Sequence, residues 1–361
     1  MAVLLLAAIV LSGLTFRWVR QHTPAPATPA TGMSGTLVYA VPDGAGWARL
    51  WTWDLDRNVV AEGPRVQDPV ELVDAYGAGP GWIGVTWERI DGSFEAGLLR
   101  YLEPTDEATP LLTADYLAWG ARGEDVAGAS IRREHGCRRR VKVVDVGLAP
   151  SSSEVRVDRT ICGAVLSIGR DDLRTYLTLS RRGDPRIVFA GLGRFHRVLD
   201  GYALSAISPT ADMLVVPASE LPPAQISPPR WSPHEAPGAV FGTGMFFRGL
   251  SQGRPIPFGE DGHPFQLDHL RAWSPDASVG LVTGRMGNRY GIFELRAGPA
   301  ADRVPRFLGP INGPIYGTYA DDGTGFVANG DVLSILQNHE LTPIALPQGA
   351  PIPAGPIVWI R

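Results

Sequence analysis

The chain has 361 residues, 44% of them hydrophobic and only 19% charged, with a net charge of −4. Without residues 1–20, which hold Arg17 and Arg20 and no acid, the charge becomes −6, so the sequence makes no overall electrostatic case for nucleic-acid binding. Its 43 glycines and 32 prolines disfavour long helices and suit many strands joined by tight turns.

Residues 2–16 form an uncharged apolar run. At about 1.5 Å per residue it spans about 22 Å, short of a roughly 30 Å hydrocarbon core. No basic residue precedes the run, two arginines follow it, and no cysteine stands after it for lipidation. We read residues 1–20 as an uncleaved N-terminal membrane anchor, with a secretion signal as the alternative. Residues 21–34 are a Pro/Ala/Thr linker, extended and semi-rigid. Residues 35–361 then form a domain outside the cytoplasm, membrane-anchored, or secreted if the first segment is cleaved.

The strongest signal in that domain is repetition. The segment Trp273-Ser274-Pro275-Asp276-Ala277 reads as the end of a strand and a tight turn, and an apolar strand follows it. Asp276 is explained by the turn, where its side chain can bond nearby backbone N–H groups. Looser copies begin at Tyr76, Trp119, Ile168, Ile207 and Tyr319, separated in chain order by 43, 49, 39, 66 and 46 residues. Four strands with their turns need about 40–45 residues, the size of one propeller blade. Trp359 lies 40 residues after Tyr319, but the chain stops there. The missing strands are at the other end, in Gly35–Ala40, Arg49–Leu55 and Val59–Ala61. The expectation is an all-β fold: a β-propeller of seven four-stranded blades, closed by a blade that combines both termini. Trp231-Ser232-Pro233-His234 mimics a repeat start only 24 residues after Ile207, too close for a blade. It leaves six or eight blades as alternatives, and a β-sandwich as the rival architecture.

In chain order, the first blade offers Trp82–Trp87 and Gly97–Tyr101 as strands. The second holds six basic residues within eleven positions, Arg132, Arg133, Arg138, Arg139, Arg140 and Lys142. Their bland reading is a solvated hairpin turn; their sharper one is a patch for lipid headgroups, polysaccharide or phosphate. No aromatic interleaving supports nucleic acid. Cys137 and Cys162 would stand near the second and third blades. They read either as a disulfide stapling neighbouring blades in an oxidising compartment, or as two separately buried thiols. The fourth blade carries a proline-rich insertion over 217–237. Within it, Pro222, Pro223, Pro228, Pro229, Arg230, Trp231 and His234 are candidate partner contacts, since long irregular loops in compact domains carry function or disorder.

Catalytic constellations are weak. Glu260, His263, Asp268 and His269 are the one local group of metal-capable side chains, but they lack the H-E-x-x-H spacing and read as loop polar residues, so no metal or cofactor is assigned. G-x-S-x-G, P-loop and G-x-G-x-x-G motifs are missing. Asp171, Asp172, Asp212, Asp276, Asp321 and Asp322 all fall in expected turns; a glycosidase pair could come from such carboxylates, yet turns need them anyway.

The turn at Trp273–Ala277, with Ile207-Ser208-Pro209-Thr210-Ala211 and Tyr319-Ala320-Asp321-Asp322-Gly323, resembles the W-S-P-D-G repeats of the TolB-like, WD40-like (PD40-type) propeller superfamily. The resemblance covers residues 35–361 and implies an extracytoplasmic propeller that serves as a protein-interaction scaffold. TolB itself has a separate α/β domain, for which no room remains before Gly35, so its own role is not carried over. Related propellers occur in peptidases beside an α/β-hydrolase domain, which this sequence lacks. The functional expectation is a non-enzymatic scaffold with a protein partner and a membrane attachment. The alternatives are a carbohydrate-active enzyme at the central mouth, binding a glycan, and a structural surface domain without a ligand.

Overall fold

The computed structural model describes residues 28–29, 33–120, 123–148, 153–181, 184–220, 242–249, 253–260, 262–296 and 303–361. The apolar run 2–16 and the insertion residues Pro222 to His234 lie outside them. Among the described residues, no helix is long and apolar enough to cross a membrane.

The chain is a seven-bladed β-propeller of antiparallel sheets. Blade 1 comprises Pro69–Asp74, Trp82–Glu88, Phe94–Arg100 and Thr109–Ala114. Blade 2 comprises Tyr116–Trp119, Asp125–Arg133, Arg138–Gly147 and Ser153–Cys162. Blade 3 comprises Ala164–Arg170, Thr175–Arg181, Asp184–Gly191 and Arg194–Asp200. Blade 4 comprises Tyr202–Ile207, Asp212–Pro217, Met245–Arg248 and Ile256–Pro257. The insertion thus joins the second and third strands of one blade, which explains the 66-residue spacing without an extra repeat. Blade 5 comprises Gln266–Trp273, Val279–Met286, Arg289–Arg296 and Arg306–Gly309. Blade 6 comprises Ile315–Tyr319, Gly325–Asn329, Val332–Gln337 and Glu340–Ala345, with Thr28–Pro29 added in parallel to its outer strand. The closing blade takes Ile357–Ile360 from the C-terminus and Thr36–Pro42, Trp47–Asp54 and Val59–Gln67 from the N-terminal side. Pairing of Thr36 with Ile360 and of Tyr39 with Ile357 removes the two edges that an open ring would leave.

The hydrophobic core is divided among the seven interfaces between blades. Leu37, Tyr39 and Trp53 of the closing blade pack on Phe326, Leu333 and Ile335 of blade 6, and Val38, Leu50 and Val358 pack on Ile83, Val85 and Leu99 of blade 1. Alternation makes this possible, because successive residues of a strand face opposite neighbours. Each blade therefore buries both faces and cannot hold its core alone.

The turn after the first strand repeats closely. Ser274 N–H donates to Val279 O at 2.8 Å, Ser208 N–H to Asp212 O at 2.8 Å, Ala320 N–H to Thr324 O at 2.8 Å, and Gly120 N–H to Asp125 O at 2.9 Å. Three residues further on, the chain adopts a left-handed conformation: φ is 56° at Ala277, 67° at Ala211, 85° at Gly323 and 58° at Gly123. Glycine takes that conformation without steric cost and alanine does not.

This register corrects two repeat positions. Trp119, Ile207, Trp273 and Tyr319 are the last residues of the first strands of their blades. Tyr76 does not: the strand ends at Asp74, and Tyr76 starts a short 3-10 turn with 68% of its surface exposed. Ile168 lies two residues inside its strand, which ends at Arg170. Trp359 pairs with Leu37 one residue before its strand end, and its Nε1 donates to Ser34 O at 3.0 Å.

Cys137 and Cys162 form a disulfide. It lies within blade 2, where the neighbouring Arg138 pairs directly with Cys162 across two strands of one sheet, and so does not staple two blades.

Candidate functional site

Antiparallel blades put every turn between strands one and two, and between strands three and four, on one face of the ring, here the lower face. Turns between strands two and three, and the connections from blade to blade, fall on the upper face.

The lower face holds a cleft of about 600 Å³ between blades 5 and 6, lined among others by Asp276, Glu294, Tyr319, Asp321, Asp322 and His339. Each carboxylate has a local task. Asp276 accepts from the Ser274 hydroxyl at 2.6 Å, the Ser278 hydroxyl at 2.7 Å and Ser278 N–H at 3.1 Å, and these bonds hold its pKa below the ordinary value. Asp322 accepts from Thr324 N–H at 2.8 Å, and Asp321 pairs with Arg361. Buried Glu294 meets His339 Nδ1 at 2.8 Å, while Arg296 Nη2 lies 2.7 Å from His339 Nε2. Guanidinium has only donors, so Nε2 accepts and the proton sits on Nδ1, facing Glu294. With both nitrogens occupied, His339 clasps blade 6 to blade 5 and is not poised as a base. The Tyr319 hydroxyl is buried beside this clasp with no hydrogen-bond partner among the described residues, and desolvation raises its pKa well above the usual tyrosine range.

A second polar group lies between blades 2 and 3. Arg170, its side chain 3% exposed, donates from Nε to Asp125 at 2.7 Å, from Nη2 to the same carboxylate, and from Nη1 to Asp145 at 2.9 Å and Thr175 Oγ1 at 2.7 Å. Asp145 also accepts from Thr175 Oγ1 at 2.9 Å and from Arg156 Nε at 2.8 Å. Arg170 occupies the strand-end position that Trp119 and Trp273 fill elsewhere. Those indoles also reach back to the preceding blade, Trp119 Nε1 to Thr86 Oγ1 at 2.8 Å and Trp273 Nε1 to Ile207 O at 3.1 Å. A search for large apolar residues could not find Arg170.

The third group stands on the innermost strand of blade 1. Glu71 is exposed to solvent although protein surrounds it, the environment of a channel wall. Desolvation raises its pKa to about 7. Asp74 on the same strand is raised to about 6 by burial, a shift that Arg361 partly opposes. Neither carboxyl stood out in the sequence, since a lone acid in a strand reads as solvent-facing.

The metal-capable residues do not assemble. Glu260 and His263 pair on a separate two-stranded hairpin, while Asp268 and His269 are buried in blade 5, where Asp268 accepts from Tyr290 OH at 2.9 Å. Among the described residues, no group of three or more His, Cys, Asp or Glu could hold a metal ion.

On the upper face, the six basic residues occupy one hairpin of blade 2. Its second strand pairs with the inner strand only through Ala129, opposite Tyr116, and runs on to Arg133. Those four residues carry it about 13 Å further, at roughly 3.3 Å each. The middle strand, Arg138–Gly147, and the outer strand, Ser153–Cys162, accompany it, so blade 2 ends in a three-stranded finger closed by the disulfide. Arg140 forms a bidentate pair with Asp158, both contacts 2.7 Å.

No protein-family model matches the sequence, and no curated protein matches it. Solved structures do match in fold. Acylaminoacyl peptidase from Pyrococcus horikoshii aligns at a TM-score of 0.55 and 8% identity over 88% of this chain and 51% of that one. The β-propeller domain of the Trilobed protease from Pyrococcus furiosus, described as having an open velcro topology, aligns at 0.52 and 9% over 88% and 97%. A functionally unknown protein from Desulfotomaculum acetoxidans aligns at 0.51 and 9% over 91% and 99%. This chain spans about half the length of the acylaminoacyl peptidases it matches. At these identities the likeness is one of fold alone.

Proposed function

We propose that this propeller is a non-enzymatic interaction module, a rigid ring that presents binding segments to a protein partner. The observation that carries this reading is a shared face. The blade 2 finger lies between a second and a third strand, and the strands that flank the insertion, Asp212–Pro217 and Met245–Arg248, are also the second and third of their blade, so both are joined to the ring on the same face. Binding segments held on a rigid scaffold are a common way to build recognition. The turn aspartates support the same reading, since Asp171, Asp276 and Asp322 each bond backbone of their own turn. The resemblance to TolB-like propellers agrees with a scaffold outside the cytoplasm, held near a membrane by residues 1–20. The test is affinity capture from solubilised membranes with the full chain and with a variant whose residues 221–241 are replaced by a short Gly/Ser linker. One partner retained by the first and lost by the second is the expected result; identical retention by both would count against the insertion as the contact.

A second reading, a carbohydrate-active enzyme, rests on Glu71. A channel carboxyl titrating at about 7 is suited to donate a proton near neutral pH. A glycan-hydrolysis screen whose activity vanishes in Glu71→Gln would establish it.

A further inference from the structure

We infer that the upper-face finger of blade 2 takes up an extended acidic segment of a partner protein as an added β-strand. This rests on the reading of the propeller as an interaction module and names what one of its surfaces would bind.

Two independent features converge there. The first is an open sheet edge. Beyond Ala129 the second strand has no neighbour on its inner side among the described strands, so Ser130–Arg133 presents a free edge. The Ile131 N–H points out of that edge, because it donates to the side chain of Asp115. Strand periodicity makes Arg133 N–H point the same way, while Ser130 and Arg132 bond toward the middle strand. The Ile131 N–H is thus already donated to a carboxylate, and an extended peptide would partner the Arg133 N–H and the outward carbonyls.

The second feature is charge. Arg132 lies directly opposite Arg140, and Arg133 directly opposite Arg139. Like charges facing across an antiparallel pair are destabilising. Arg140 is compensated by Asp158, but Arg132, Arg133, Arg138 and Arg139 make no side-chain hydrogen bond or ion pair to a described residue. Other exposed arginines are either paired within their own turns, as Arg57, Arg89 and Arg100 are, or stand singly among the described residues, as Arg181, Arg194 and Arg306 do. In a protein of net charge −4, four such arginines on one hairpin are a local concentration of positive charge. Arg132 and Arg133 also point to opposite faces of the sheet, so an added strand would meet cations on both sides. An acidic strand repeats its side chains on each face at roughly 6.8 Å, the spacing of Arg138 and Arg140 on the middle strand. Arginine forks match carboxylates in bidentate fashion. The disulfide at the tip fixes the edge before any partner arrives.

The full chain, purified in detergent, is titrated by fluorescence anisotropy with a labelled dodecapeptide of alternating Glu and Thr and with its Gln/Thr counterpart. The acidic peptide is expected to bind at least about tenfold more tightly and to weaken with added salt. Arg132→Ser/Arg133→Ser should lose that preference while melting no lower than the unmodified chain, because it relieves two repulsive pairs. A purely structural role would lower the melting temperature. Arg133→Ala and Arg133→Pro both remove one charge, but only proline also removes the outward N–H. Binding should therefore be weaker by about tenfold in Arg133→Pro than in Arg133→Ala, at unchanged circular dichroism. An isotope-edited infrared band of the ¹³C-carbonyl peptide should move to a strand frequency on binding. Equal affinity of the Ala and Pro variants overturns the added strand. Equal binding of the Gln/Thr peptide overturns the role of charge. Capture by mixed micelles containing phosphatidylglycerol, which the acidic peptide cannot compete away, overturns a peptide ligand in favour of a lipid surface. Absence of peptide binding overturns the proposal, whereas the interaction-module reading is decided separately by the insertion variant.

Discussion

Replacing Arg170 by methionine tests how blades 2 and 3 are joined. Methionine keeps much of the buried stem but leaves Asp125 without its bidentate partner and Asp145 with only Arg156 and Thr175. Removing one member of a buried pair costs about 3–5 kcal/mol, mostly because the remaining charge stays buried. The Asp145 side chain is 7% exposed and the Asp125 side chain 25%, so Asp125 recovers some solvation and the lower end, about 3 kcal/mol, applies. With an unfolding entropy of about 2.1 cal/mol/K per residue, the roughly 290 described residues give about 0.6 kcal/mol/K and a drop in melting temperature of about 5 °C. Differential scanning calorimetry at low and high salt measures it, and salt should change the drop little because the pair is shielded from solvent. Adding Asp125→Asn and Asp145→Asn should recover most of the loss, since no buried charge then lacks a partner. A drop below about 1 °C, or a triple variant no better than the single one, would falsify the view that a desolvated ionic bolt holds this interface.

Other expectations are as specific. Cys137→Ser/Cys162→Ser opens a link between residues 25 apart in sequence and should cost about 3 kcal/mol by loop-closure entropy, read by denaturant unfolding with and without reductant. Glu71 titrates at about 7 when folded against an ordinary value near 4.5, so the stability favouring its protonated form is lost as pH rises through that window. Melting temperature of the unmodified chain should fall over that interval, and Glu71→Gln should flatten the profile. A β-carbon on Gly84 would stand 2.6 Å from the Trp119 ring, so Gly84→Ala should destabilise by about 1–3 kcal/mol in thermal melts. Ala211, held at φ 67°, gives the opposite outcome: Ala211→Gly should stabilise by about 0.5–1 kcal/mol in chemical denaturation.

The blades were legible because their turns carry physical constraints that leave marks in sequence. A serine or aspartate bonds the turn backbone, and a large side chain closes the first strand, as at Trp273-Ser274-Pro275-Asp276. The same filter misplaced two repeats. Arg170 and Asp74 stand at the strand end, so a search for apolar bulk moved to Ile168 and Tyr76 instead. An arginine can join two blades only when both aspartates face it, and those lie 25 and 45 residues away in the chain. The basic hairpin was legible as charge, but its free edge was not. That edge exists because the inner strand of blade 2 has four residues while the next has nine, a mismatch set by pairing. Likewise the cysteines suggested a bond between blades, since linear distance cannot show that the third strand returns beside the fourth. Glu71 shows the reverse loss: only ring closure turns the edge of an inner strand into the wall of a channel.

The ionic bolt and the finger are parts of one mechanical arrangement. Three long strands of blade 2 project past an inner strand too short to hold them along their length. At the lower end Arg170 binds the second strand through Asp125 and the third through Asp145, which in turn holds the fourth through Arg156. At the upper end the disulfide ties the fourth strand to the turn between the second and third. The middle of the finger packs Val141, Val143 and Val157 against Val165 and Leu177 of blade 3. Clamped at both ends, the strands can keep opposed arginines in register at a cost that a free hairpin would relieve by fraying. Loss of the disulfide should therefore loosen the upper end first. Hydrogen exchange in Cys137→Ser/Cys162→Ser would show faster amides at Ser130–Arg133 and Arg138–Val141, with Asp125–Gly128 still protected beside Arg170. Uniform acceleration along all three strands would mean that the two clamps act as one cooperative unit, and that the bolt cannot hold the base of the finger alone.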